Sequence, residues 1–259
     1  SLFVRAIFPP LILLCFIINH HYSKIKRNMP IIVKNTTIIN PLDLLAPHSC
    51  RGCGRIGKPL CDCCKKNIVK NHINYCPNCK QINPTGKCPK CKNLPPIFVA
   101  GVRSALIGKL IHDYKYSSVR ALAQPLAEIL DHSFPQIPGE ISIVPLPTIS
   151  KHIRSRAFDH TLLLSKKLAN LRGKNYQVES LLLRNKNTIQ VGANEIMRKA
   201  QAEAAYKINK KTVIDPEKTY VLLDDVWTTG STIKAATKKL REAGALKIII
   251  LILAVNRLD

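Results

Sequence analysis

The chain has 259 residues and a formal net charge of +24, from 40 basic and 16 acidic side chains. A hydrophobic fraction of 46% excludes a disordered chain, and the length suits one α/β domain of moderate size plus a small accessory module. A surface this basic attracts polyanions such as nucleic acid, phosphometabolites or anionic membrane, although a Lys-, Asn- and Ile-rich bias accounts for the same charge.

Residues 1–28 form an apolar and basic leader. Residues 2–18 are apolar except for Arg5, contain Pro9 and Pro10, and precede a basic run over residues 20–27. A signal anchor is one reading. The run is short for a membrane helix and is broken by two prolines. The expectation is therefore that translation starts at Met29, the first Met, and that residues 1–28 are not native. Residues 29–46 read as a linker. No later segment reads as a membrane span, so a cytoplasmic location without stable membrane insertion is expected.

Nine of the ten cysteines fall between Cys50 and Cys91. Eight make four Cys-x-x-Cys pairs: Cys50/Cys53, Cys61/Cys64, Cys76/Cys79 and Cys88/Cys91. Such a knuckle presents two thiolates to one metal, and two knuckles complete a tetrahedral zinc site. Pairing nearest neighbours predicts two structural zinc ions in tandem ribbons, within a module spanning residues 47–96. Cys63 is left over, as a spare thiol or one that swaps with Cys64. Disulfides would need an oxidising compartment. An iron–sulfur cluster also takes four thiolates, but short paired spacings favour zinc. The segment has few large apolar residues, so metal would substitute for a core.

Residues 97–259 then read as an α/β domain. Residues 98–105 form a short strand candidate, and residues 106–116 and 121–132 read as helices. Lys115 sits at the end of the first helix, where a cation is favoured by the dipole and would be a plain surface charge. Residues 141–147 form a buried strand. Lys151, His152, Arg154 and Arg156 follow it and lead into a helix over residues 158–171. Basic residues just past a strand are placed to meet phosphate. At a helix start they conflict with the dipole, which favours a functional reason for them.

Residues 221–232, VLLDDVWTTGST, carry the densest signal. A buried strand over residues 220–223 should end just before Asp224 and Asp225, where open α/β sheets bind ligands. The carboxylates can accept hydrogen bonds from adjacent ribose hydroxyls. The loop Thr228, Thr229, Gly230, Ser231 and Thr232 can hold a phosphate through amides and hydroxyls at a helix N-terminus. One of the hydroxyls is expected to cap that helix. Its apolar positions Ile233, Ala236, Thr237, Leu240 and Ala243 recur at helical spacing, Gly244 stops it, and residues 247–255 form another buried strand.

This string resembles the 5-phosphoribosyl-1-pyrophosphate (PRPP) motif of type I phosphoribosyltransferases. The resemblance implies a ribose-phosphate site, usually with magnesium. The order of the double zinc ribbon, the helix ending in Lys115-Tyr116, the VPLP strand with its Arg-rich sequel and the PRPP motif resembles the ComF family. The resemblance covers residues 50–257. Where ComF proteins commonly read Arg-Gly-Phe-Asn-Gln, this chain has Arg156, Ala157, Phe158, Asp159 and His160. A further block aligns with Gln190, Arg198, Gln201, Ala204, Ala205 and Tyr206. The resemblance implies a type I phosphoribosyltransferase-like parallel sheet flanked by helices, behind the zinc module. It also implies transfer of a phosphoribosyl group to an unidentified acceptor, in competence and DNA uptake. Asp224 and Asp225 would hold the ribose, Thr228–Thr232 the 5-phosphate, and Lys115, Arg154 and Arg156 the pyrophosphate, with Arg198 on a closing loop. The alternative is a non-catalytic accessory protein that binds single-stranded DNA or a DNA-uptake helicase, with Trp227 as its one candidate exposed aromatic. A purine-salvage enzyme fits less well, because such enzymes do not typically carry this zinc module.

Overall fold

The computed structural model describes residues 48–70, 74–117, 119–185 and 205–256, apart from the side chain of Lys151. The leader, the linker, Gln190, Arg198, Gln201 and Ala204 lie outside the described residues. Chain order is β1 (His48–Ser49), β2 (Ile56–Gly57), α1 (Asp62–Lys70), β3 (Ile97–Val99), α2 (Ala105–Tyr116), a 3-10 turn (Arg120–Leu122) and α3 (Ala123–Ser133). There follow β4 (Ile141–Pro145), α4 (Ser150–Arg156), α5 (His160–Arg172), β5 (Tyr176–Val178), β6 (Leu182–Arg184), β7 (Tyr206–Ile208), β8 (Thr219–Trp227), α6 (Ser231–Glu242) and β9 (Lys247–Val255).

Five strands pair in parallel in the order β3-β9-β8-β4-β5. The strands are apolar on both faces because both faces are covered. Alternate residues separate two cores. Ile141, Ile143, Val221, Leu223, Leu251 and Leu253 pack with α2, α3 and α5. Val144, Tyr220, Leu222, Ile250 and Ile252 pack with α6 and the antiparallel β6–β7 hairpin. The mixed α/β architecture with a parallel sheet flanked by helices, preceded by two four-cysteine groups, is the one expected.

The cysteine-rich segment is packed onto this sheet. Cys50 and Leu60 share a core with Phe98 and Ile107. Arg51 pairs with Asp113 of α2 at 3.3 Å, and Lys65 of α1 pairs with Glu128 of α3. The buried Asn74 side chain donates to the Ile97 carbonyl at 3.1 Å and accepts from the Val99 N–H at 2.8 Å, so it pairs with the backbone of β3. Gly86 closes this contact. Its φ is +77°, and a Cβ there would lie 2.6 Å from the Phe98 ring.

The basic run after β4 differs from expectation. It forms its own short helix, α4, which ends at Ala157 with φ +60°. Asp159 then starts α5 by accepting the Leu162 N–H at 3.1 Å. Arg154 and Arg156 therefore lie in the last turn of α4, where the dipole favours cations. The expected conflict with the dipole is therefore lifted for these two arginines and stays for Lys151 and His152, which lie in the first turn of α4.

Candidate functional site

The chain just past β4, Asp224 and Asp225 of β8 and the start of α6 border a cavity of about 230 Å³. Strand β8 continues past Asp224 and Asp225, contrary to the expectation that it stops before them. Its pairing with β9 runs on through Asp224–Ile252, Val226–Ala254 and Trp227–Val255. Strand β4 ends opposite Leu223. The carboxylates thus stand where β8 has lost its neighbour on one side, and both line the cavity.

The two carboxylates have different surroundings. Asp225 Oδ2 meets Lys115 Nζ at 2.5 Å and His160 Nε2 at 2.8 Å. Burial alone would raise Asp225, but the His160 hydrogen bond and the Lys115 charge outweigh it and hold the carboxyl well below the usual range. Asp224 accepts the Asp225 N–H at Oδ1, 2.8 Å away. Burial first, and the Asp225 charge second, push Asp224 well above the usual range. No cation forms an ion pair with Asp224 among the described residues. Lys115 is therefore a half-buried ion-pair partner rather than a plain surface charge.

His160 has a fixed hydrogen-bond direction. Arg156 Nη1 lies 3.0 Å from His160 Nδ1, and a guanidinium only donates. Nδ1 therefore accepts, which leaves the ring proton on Nε2, the nitrogen 2.8 Å from Asp225 Oδ2. The Tyr114 hydroxyl donates to the His160 carbonyl at 2.8 Å and holds the start of α5 against α2. Burial raises the Tyr114 hydroxyl far above its ordinary value, so it remains a donor.

The loop after β8 behaves differently from expectation in two ways. Gly230 occupies the N-cap of α6 with φ +73° and gives no side-chain cap bond, so the hydroxyl at the helix start comes from one residue earlier, where Thr229 Oγ1 accepts the Ser231 N–H at 3.4 Å. Thr229 Oγ1 and Ser231 Oγ also face each other at 3.0 Å. Trp227 is only 3% exposed, and a Cβ on Gly230 would come within 2.2 Å of its ring. The indole is part of the loop's support and is no stacking surface. Of the loop residues, Thr232 lines the cavity with the carboxylates, whereas Thr228, Thr229 and Ser231 are exposed.

Lys115 and Arg156 also line the cavity, whereas Arg154 is exposed and lines neither this cavity nor the larger cleft beside it. Arg198 lies outside the described residues. Sequence reasoning did not single out His160 or Arg184 as site residues, nor Tyr206 beyond its alignment. Arg184 donates to the Tyr206 hydroxyl at 3.0 Å and stacks over its ring, and both side chains line the cavity. Burial pushes the Tyr206 hydroxyl up to about 12. A histidine two residues past an Arg-x-Phe string was the only local hint for His160. Arg184 had none, because the hairpin reaches the site through tertiary packing.

The cysteines gather into two sets, Cys50/Cys53/Cys61/Cys64 and Cys76/Cys79/Cys88/Cys91, each with its sulfurs within 4.8 Å of one another. Four thiolates around one zinc stand about 3.8 Å apart for Zn–S bonds of about 2.3 Å. The Cys53–Cys61 and Cys79–Cys88 separations of 3.6 and 3.4 Å fit that size. Backbone N–H groups of Gly52 and Cys61 lie 3.4 and 3.3 Å from Cys50 Sγ. Burial pushes this thiol up, but these amides and that of Cys53 bring it down to about 6. Each set could hold a zinc ion, and closed four-sulfur coordination leaves no position for substrate. Cys63 is exposed and belongs to neither set.

No helix among the described residues is long and apolar enough to cross a membrane. No protein family and no curated protein sequence matches the chain. Among solved structures, it is similar to one described as the allosteric regulatory enzyme of purine biosynthesis, at 18% identity and a TM-score of 0.35. The likeness covers 54% of this chain and 29% of that one, so this chain spans under a third of that enzyme's length. A likeness of this depth gives no ground for transferring that enzyme's activity.

Proposed function

We propose that the chain binds PRPP and transfers its phosphoribosyl group to an acceptor. The observation that carries this reading is the adjacency of Asp224 and Asp225 with Thr232 around one cavity beside the carboxyl end of β4. Such strand ends are where α/β sheets bind ligands. The protein contacts described above engage one oxygen of each carboxylate, Oδ2 of Asp225 and Oδ1 of Asp224. In this reading Asp224 and Asp225 each take one of two neighbouring ribose hydroxyls.

In this reading the loop 228–232 holds the 5-phosphate by its amides and hydroxyls at the start of α6. Lys115 and Arg156 supply positive charge where pyrophosphate departs. Arg154 would serve only if its side chain turns inward, and Arg198 belongs to the same proposal as a residue of a closing loop. Two adjacent carboxylates are hard oxygen donors of the kind magnesium takes. Magnesium held by Asp224 and Asp225 would add positive charge at the pyrophosphate oxygens. The acceptor's lone pair forms the new bond to ribose C1. The C1–O bond to pyrophosphate breaks, its electron pair leaves with pyrophosphate, and the acceptor's proton passes to a pyrophosphate oxygen.

Membership of the ComF family, a cytoplasmic role in competence and DNA uptake, and the division into a 47–96 zinc module and a 97–259 catalytic domain are parts of this proposal. They rest on the sequence resemblance. Thermal melting tests the binding claim. PRPP with magnesium at about 100 times its Kd should stabilise the full chain by about 2.7 kcal/mol. A melting temperature unmoved by millimolar PRPP would remove the reading.

A further inference from the structure

A second, larger cleft of about 810 Å³ adjoins the carboxylate cavity. The two share Pro147, Thr148 and Arg184 as lining residues. One wall is α4 and α5, with Ile153 and Leu162, and the other is the β6–β7 hairpin, with Leu182 and Leu183. The volume is that of a site for a whole small molecule. Ile153, Leu162, Leu182 and Leu183 face it from both walls, so it can take a ligand with an apolar part.

Its charges are unequal. Asp159 is the one acid lining the cleft, and its Oδ1 already accepts from Leu162 N–H, Thr161 Oγ1 and Thr148 Oγ1. That oxygen is committed to starting α5. The cations are Arg184 and Lys207, both on the hairpin. Arg184 Nη1 gives one hydrogen bond, to Tyr206, and a guanidinium has five donors, so others remain for a ligand. Lys207 has no ion-pair partner among the described residues. The cleft thus combines apolar side chains with two cations on one wall and a single carboxylate on the other, so its charges still favour an anion by two to one.

We propose that this cleft binds a small organic acid with an apolar body and a single carboxylate, and that this acid is the phosphoribosyl acceptor. The second clause rests on the function proposed above; the first does not. Arg184 borders both cavities, so it would hold the carboxylate while the acid's nucleophilic atom faces the ribose. The hairpin cations thereby select an anionic acceptor over its uncharged counterpart.

The test uses the full chain with benzoate and benzamide as probes, because neither carries a nucleophilic ring atom and binding is read without turnover. Ligand-observed NMR titration should give benzoate an affinity at least about tenfold above benzamide, as expected for one charge-assisted hydrogen bond. Lys207→Gln should reduce that preference, and Arg184→Gln should abolish it. Lys207 is an exposed strand residue, so its variant stands in if Arg184→Gln fails to fold. The paired Asp224→Asn and Asp225→Asn substitutions should leave the preference intact. Equal binding of the two probes, or no binding of benzoate, overturns the proposal. PRPP binding measured on the same sample separates the two claims. Benzoate preference without PRPP binding keeps the acid site and removes its role as acceptor site; PRPP binding without benzoate preference removes the acid site alone.

Discussion

The Lys115–Asp225 pair should be measurable as a coupled unit. Their side chains are 17% and 7% exposed and meet at 2.5 Å. Breaking a fully buried pair by removing one partner costs roughly 3–5 kcal/mol. Here His160 still donates to the same oxygen, and Lys115 keeps some solvent, so Lys115→Met should cost about 2 kcal/mol. In a chain of this size that lowers the melting temperature by about 4–8 °C. A double-mutant cycle with Asp225→Asn, followed by urea unfolding at pH 7, should return a coupling of about 2 kcal/mol. The pH dependence has a definite sign. Asp225 is held below its usual value, so its contribution is full above pH about 4 and is lost as pH falls through the folded value. Lys115→Met raises that folded value, so the variant should lose the contribution at a higher pH than the wild type. A coupling below about 0.5 kcal/mol would refute the argument, because exposed pairs give that much.

Asp224 should behave in the opposite way. Its folded value is raised, so its ionisation opposes folding as pH rises above about 4. Asp224→Asn should therefore stabilise the chain by about 1 kcal/mol at pH 7, with the gain vanishing below pH about 4; destabilisation at pH 7 would contradict it. Gly230→Ala combines a φ of +73° with a Cβ 2.2 Å from the Trp227 ring, and should cost at least about 2 kcal/mol in denaturant unfolding. A neutral result would show that the loop is shaped otherwise. Purified protein should hold two zinc ions per chain by elemental analysis, and Cys76→Ser with Cys79→Ser should leave about one. Absence of zinc from folded wild-type protein would reject the metal assignment.

Legibility of the fold followed the range of the forces involved. Strand β9, residues 247–255, is an unbroken apolar run after Lys247, and its bounds were readable to the residue. Strand β8 was read too short because two carboxylates look like an end. Its last four residues are strand only because β9 pairs with them, which is a long-range cause. The break between α4 and α5 depends on one left-handed residue, Ala157, and alanine gives no sign of that conformation. The cysteine grouping was readable from spacing, since each set closes within sixteen residues or fewer. The carboxylates and the threonine loop carry a local pattern, so they stood out. His160, Arg184 and Tyr206 are brought to the cavity by packing of α5 and the β6–β7 hairpin, and that packing leaves no periodic trace.

The central claim is that Asp224 and Asp225 form a PRPP site. Titration calorimetry of PRPP into the full chain, with and without magnesium, tests it most directly against the paired Asp224→Asn and Asp225→Asn variant. The account predicts binding that requires magnesium and disappears in a variant that remains folded and zinc-loaded. Binding of equal strength in the variant, or none to folded wild-type protein, would contradict it.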